Sequence, residues 1–194
     1  MSKRNPKSAY PLPKHQKKIV LCLTKHDPMT MSETNRKLKG ENTSTTRAFH
    51  ELESKGIVTA IDKEEYHGRK FSKYWLTQKG IFVALFEGAD PDQLLQRTLK
   101  NYPNDKTLQC CLELSPLLGL EGFKIGLSAI EERGKLDDSD TKRILIAHIQ
   151  KEVSIEQIRK LIEILKKYPK EYHKTKEGLS KFSKSLTEAL ESLF

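Results

Sequence analysis

Two short β-prone runs, Ile57-Val58-Thr59-Ala60-Ile61 and Phe71-Ser72-Lys73-Tyr74-Trp75-Leu76, stand in a chain whose other periodicity is helical. That pair limits the fold more than any other feature. β-Branched and aromatic residues favour a pleated strand. The stretch between the runs, Asp62 to Lys70, is polar and contains Gly68, where the chain can reverse. The pattern predicts a β-hairpin with a long basic tip. A lone two-stranded hairpin is marginal in water and needs a helical surface to cover one face, so the segments on either side must supply it.

Before the hairpin the pattern predicts three helices. The first runs from Lys14 to about His26, with Ile19, Val20 and Leu23 on one face and Asp27-Pro28 as its stop. Thr30-Met31-Ser32-Glu33 matches the S/T-x-x-E capping box and opens a short second helix that ends at Gly40. Asn42 to Thr46 offers N-caps for a third helix. Thr45, Phe49 and Leu52, spaced by four and three, make its inner stripe, which turns Ser44, Thr46, Arg47, His50 and Glu51 outward. Lys55-Gly56 closes it with a cation near the carbonyl end and a residue free to take positive φ. After the hairpin a fourth helix starts near Thr77 and runs through Ile81, Val83, Ala84 and Leu85 to Glu87.

The rest of the chain reads as all-α. Asp90-Pro91-Asp92 combines an N-cap, a proline at the first helical position and an acid in the first turn. Further helices are expected near 104–118, 120–133, 138–151, 154–168 and 174–194, the last with an apolar stripe from Leu179 to Leu193. The fold class expected is therefore mainly α with a small β-hairpin wing, divided into a flexible basic arm (1–13), a helix-and-hairpin domain (14–88) and an all-α domain for dimerisation or partner binding (89–194).

Charge separates the two halves. Residues 1–88 hold 17 basic and 9 acidic side chains, while 89–194 hold 18 and 17. A field confined to the first half fits a polyanionic partner for that half, and fits a solvated basic surface equally well. Cys22, Cys110 and Cys111 form no paired framework and have no metal-ligand spacing with the six histidines, so they read as reduced core residues and no metal or cofactor is expected. No segment has the apolar run of a signal peptide or a membrane span, which places the expected location in the cytoplasm, away from membranes.

Two stretches resemble a known family. Ser44-Thr45-Thr46-Arg47-Ala48-Phe49-His50-Glu51-Leu52-Glu53-Ser54-Lys55-Gly56-Ile57-Val58 is similar to the recognition helix and first wing strand of MarR-like and PadR-like regulators. Tyr74-Trp75-Leu76-Thr77-Gln78-Lys79-Gly80 is similar to the Y-x-L-T-x-x-G signature that closes their wing. The resemblance covers Lys14 to Glu87 and implies a winged helix-turn-helix domain, double-stranded DNA as partner, and action as a homodimer occupying an operator.

The physics of such an interface selects the contact residues. A major groove accepts one helix, whose N-terminal half reaches base edges. Here that half carries Ser44, Thr46, Arg47 and His50, with Arg47 able to make a bidentate contact to guanine. In the wing, Lys63, Arg69, Lys70 and Lys73 would meet backbone phosphates or the minor groove, and His67 lies among them. Phe71 and Trp75 are expected to pack in the core or on the strand face, with Tyr66 at the exposed tip. No catalytic constellation competes. Gly119 to Gly126 lacks the preceding strand and the Lys-Ser/Thr of a phosphate loop, and His148 and His173 fall on separate helices. The chain is thus expected to be a non-enzymatic transcription regulator. The rival reading is a winged-helix interaction module of a larger nucleic-acid-associated assembly.

Overall fold

The computed structural model describes residues 11–39, 42–137 and 155–170, together with 172–174, 176, 177 and 180. The elements are α1 (Lys14–Lys25), α2 (Met31–Leu38), α3 (Asn42–Ser54), β1 (Val58–Tyr66), β2 (Arg69–Leu76), α4 (Gln78–Phe86), α5 (Pro91–Asn101), α6 (Lys106–Arg133) and α7 (Ile155–Lys166). The chain is mainly helical, with one two-stranded antiparallel hairpin set between helices. It divides into two units, residues 1–101 and 102–194.

In the first unit the helices form where their caps dictate. Thr30 and Glu33 complete a reciprocal capping box: the Glu33 N–H donates to Thr30 Oγ1 at 3.2 Å and the Thr30 N–H donates to Glu33 Oε2 at 2.8 Å. Ile19, Val20 and Leu23 of α1, Phe49 and Leu52 of α3, and Ile81 and Val83 of α4 are all completely buried. These apolar faces meet in one core, where each fully buried side chain of this size is worth about 1.5–3 kcal/mol relative to exposure. Leu12 is also buried, its N–H donating to the Glu87 carboxylate at 2.6 Å, so the predicted arm is anchored at its last residues.

The hairpin is longer than the sequence pattern predicts. Pairing continues through the polar stretch to Tyr66 opposite Arg69, leaving a two-residue turn at His67 (φ 49°) and Gly68 (φ 71°) in place of a long tip. Two positive φ values in succession are what a type I′ connection requires, and they match the twist of the strands. The register shifts between Ala60 and Asp62, a bulge that leaves Ile61 37% exposed. Phe71 stands opposite Glu64 on the outer half of the hairpin and is 42% exposed, so of the two placements expected for it the core one does not hold. Trp75 is buried as expected and donates its indole N–H to the Leu23 carbonyl at 3.0 Å. The free edge of β2 is also occupied: Met29 and Tyr74 exchange both backbone hydrogen bonds, at 3.2 and 2.8 Å.

Thr77 caps α4 by accepting from the Gly80 N–H at 3.0 Å, and its own N–H donates to the Ile57 carbonyl at 3.0 Å. The first turn of α4 thereby sits directly on the start of β1.

The expected break between 88 and 89 is not where the units divide. Asp90 caps α5 through the Asp92 N–H at 3.0 Å, but α5 then belongs to the first unit, with Leu94 and Thr98 buried and Arg97 and Lys100 both bonded to Asp27. In the second unit the two helices expected at 104–118 and 120–133 are one continuous helix, α6, capped by Asp105 and closed by Gly134 at φ 79°. Interior glycines weaken a helix by about 1 kcal/mol each without ending it, and the buried face that includes Leu108, Cys111, Leu112 and Ile130 holds α6 in place. Glu113 of α6 receives the Tyr168 hydroxyl and the Lys167 ammonium, each at 2.7 Å, just past the end of α7. The helix expected at 138–151 with its His148, and the stripe from Leu179 to Leu193, lie outside the described residues. The three cysteines are unbridged and buried. Among the described residues no helix is long and apolar enough to cross a membrane.

Candidate nucleic-acid interface

The outward row of α3 follows from how its inner side is pinned. Thr45 is buried and donates its hydroxyl to Asn35 Oδ1 of α2 at 2.8 Å. Ala48, Phe49 and Leu52 continue inward, with the Phe49 ring 5.3 Å from that of Tyr74 on β2. With 3.6 residues per turn, Ser44, Thr46, Arg47 and His50 must then face solvent, and all four are exposed.

These four are not equally disposed. The Arg47 side chain is 84% exposed, yet its Nε donates to Glu51 Oε1 at 3.1 Å. The other Glu51 oxygen accepts from Gln16 Nε2 at 2.6 Å, and Gln16 Oε1 accepts from Lys55 Nζ at 2.9 Å. Glu51 is therefore a bracket between α1 and the base of Arg47. An exposed pair at this spacing is worth only about 0.3–0.5 kcal/mol, weak enough to yield to a better acceptor. His50 lies 3.8 Å from Glu53, 63% exposed. The outward side of Glu51 was legible in the helical phase, but its bond to Gln16 was not, since nothing local pairs positions 16 and 51.

In the hairpin the expected cations divide into two groups. Lys63, Arg69 and Lys70 are exposed, and none has an ion-pair partner among the described residues. They share the hairpin with Asp62, Glu64 and Glu65 of β1, and Glu65 stands directly opposite Lys70. Lys73 is placed apart from them. Its ammonium is 3.2 Å from Glu64 Oε2, a contact that raises its pKa, and it borders a cleft on the α1–α2 side of the hairpin. Arg69 and Lys70 lie next to the turn and Lys63 stands farther down β1 opposite Ser72, while Lys73 lies beside the cleft.

Comparison with protein-family models, with characterised proteins and with solved structures finds no match to this chain.

Proposed function

We propose that residues 14–88 form a winged helix-turn-helix domain that binds double-stranded DNA in a sequence-dependent way, and that the protein is a transcription regulator acting by operator occupancy without covalent chemistry. The observation that carries this reading is the exposed row Ser44, Thr46, Arg47 and His50 on a helix whose opposite side is locked to α1, α2 and β2. A recognition helix needs such a rigid back, because base readout depends on holding short polar side chains in register with base edges. The Met29–Tyr74 bridge supports the same reading, since it ties the hairpin to the segment just before α2 and so fixes the wing relative to the helices.

In this reading Arg47 reads a guanine, Ser44, Thr46 and His50 contact bases or phosphates, and Lys63, Arg69 and Lys70 hold the flanking backbone. Lys73 serves the hairpin's internal pairing. The working form is a homodimer in the cytoplasm, because two half-sites one helical turn apart multiply both affinity and specificity. Light scattering on the full chain tests the dimer, and a monomer at tens of micromolar removes it.

The experiment that tests the function is selection of bound fragments from a random duplex library by the purified protein. Enrichment of one motif supports the regulator. Binding without enrichment favours instead an interaction module in a nucleic-acid-associated assembly.

A further inference from the structure

Where α1 ends and α2 begins, an open cleft of about 610 Å³ lies against the side of the hairpin that carries Lys73. That is within the roughly 300–1,000 Å³ of ordinary small-ligand sites. Four nitrogen-bearing side chains border it: His26, Arg36, Lys37 and Lys73. Two carboxylates, Asp27 and Glu33, border it as well, and both are already committed. Asp27 bonds Arg97 and Lys100 of α5, and Glu33 accepts from the N–H and the hydroxyl of Thr30. Glu33 keeps its charge, which acts on Lys73 and Arg36, but the cleft and the groups paired to it still hold five cations (Arg36, Lys37, Lys73, Arg97, Lys100) against three carboxylates (Asp27, Glu33, Glu64). Lys73 is matched by Glu64, whereas Arg36 and Lys37 have no ion-pair partner among the described residues. The end of α2 is not the attraction here, because the Glu33 N–H at its first turn is already bonded to Thr30.

We propose that this cleft is a phosphate-binding site, in which Arg36 and Lys37 grip the phosphate and Pro28 and Met29 form an apolar floor for the group that carries it. A guanidinium offers a planar fork that matches two phosphate oxygens, and a lysine adds a compact charge beside it. The surroundings agree with that assignment. His26 is held below its ordinary pKa first by burial and then by the charges of Lys37, Arg97 and Lys25, with Asp27 acting the other way, so its imidazole sits in a net positive field that an incoming anion relieves. The same phosphate chemistry has two sources, a small phosphorylated metabolite or the backbone of a bound duplex. Only the second rests on the DNA-binding reading.

Titration of the full-length protein with inorganic pyrophosphate and with adenosine monophosphate, followed by the NMR signals of His26 and the Arg36 side chain, tests the site. Saturable shifts are expected, with the His26 pKa rising on binding, and the R36Q/K37Q protein is expected to bind about tenfold or more weakly, a loss near 1.4 kcal/mol. Both substituted residues are exposed, so the variant keeps the fold. Duplex binding by the same variant assigns the source. Weakened duplex binding, with competition by adenosine monophosphate, places a backbone phosphate in the cleft. Unchanged duplex binding together with saturable nucleotide binding makes it a separate small-molecule site. The proposal is overturned if neither probe gives saturable shifts and the variant binds duplex normally, or if the probes shift the variant as they shift the wild type. A protein that binds no duplex at all, yet takes up the nucleotide at Arg36, refutes the DNA reading and leaves the phosphate site standing.

Discussion

The carbonyl oxygen of Ile57 occupies the space a Cβ on Gly80 would need: an added Cβ would stand 1.9 Å from it. This carbonyl is also the acceptor for the Thr77 N–H, so the first turn of α4 is drawn onto the first residues of the hairpin as closely as backbones can approach. Gly80→Ala is therefore expected to destabilise the first unit by about 3 kcal/mol or more, since backbone must move on one side. Gly68→Ala is the matched control. Its added Cβ meets nothing, but its φ of 71° costs a non-glycine residue about 1–2 kcal/mol. Urea denaturation should rank the two in that order.

Glu87 binds the chain ahead of α1 to the end of α4. Its carboxylate, almost wholly buried, accepts from the Leu12 N–H and lies 3.1 Å from the Lys17 ammonium. Glu87→Ala is expected to cost about 1–3 kcal/mol, the usual penalty for leaving a buried donor unpaired. Protease cleavage near residues 11–13 should rise with it. Lys17→Ala, which leaves the buried Glu87 carboxylate with the Leu12 N–H but no counter-charge, should destabilise the unit as well.

The Thr30–Glu33 capping box carries a pH signature. Hydrogen bonding from the Thr30 backbone is the main cause that lowers the Glu33 pKa below its ordinary value of 4.5. A carboxylate with a depressed folded-state pKa contributes stability that is fully present above its unfolded value and is lost as pH falls through the folded one. The stability difference between wild type and Glu33→Gln should therefore be constant above about pH 4.5 and shrink below it. A difference that stays constant to pH 2 would show that the cap does not depend on the charge.

Much of the first unit was legible because its signals are local. The capping box at Thr30, the cap at Asp90 and the phase of α3 each involve residues within a turn or two of one another. The hairpin's outer half was not, because Asp62, Glu64, Glu65, Arg69 and Lys70 carry no apolar alternation. Their pairing is cross-strand, with charge facing charge at Glu65 and Lys70 and at Asp62 and Lys73. The Met29 bridge to β2 and the docking of α5 through Arg97 onto Asp27 join positions 45 and 70 residues apart, and no window of sequence contains both partners. The outward position of Arg47 was legible in the helical phase of α3, whereas Lys63, Arg69 and Lys70 were marked only by lying around Gly68; all four are exposed. That Glu51 brackets Arg47 to Gln16 depends on how α1 crosses α3.

Binding of two single variants to a selected duplex and to scrambled duplexes over a range of salt tests the proposed DNA-binding function, in which Arg47 reads bases and Lys70 holds the backbone. Arg47→Ala is expected to cost about 1–3 kcal/mol at the selected site and to relax preference at one base pair. Lys70→Ala is expected to weaken all duplexes alike and to reduce the salt slope by about one. Equal, sequence-blind losses from both variants, or an Arg47→Ala protein that selects the same motif with unchanged affinity, would contradict the assignment of α3 as the reading helix.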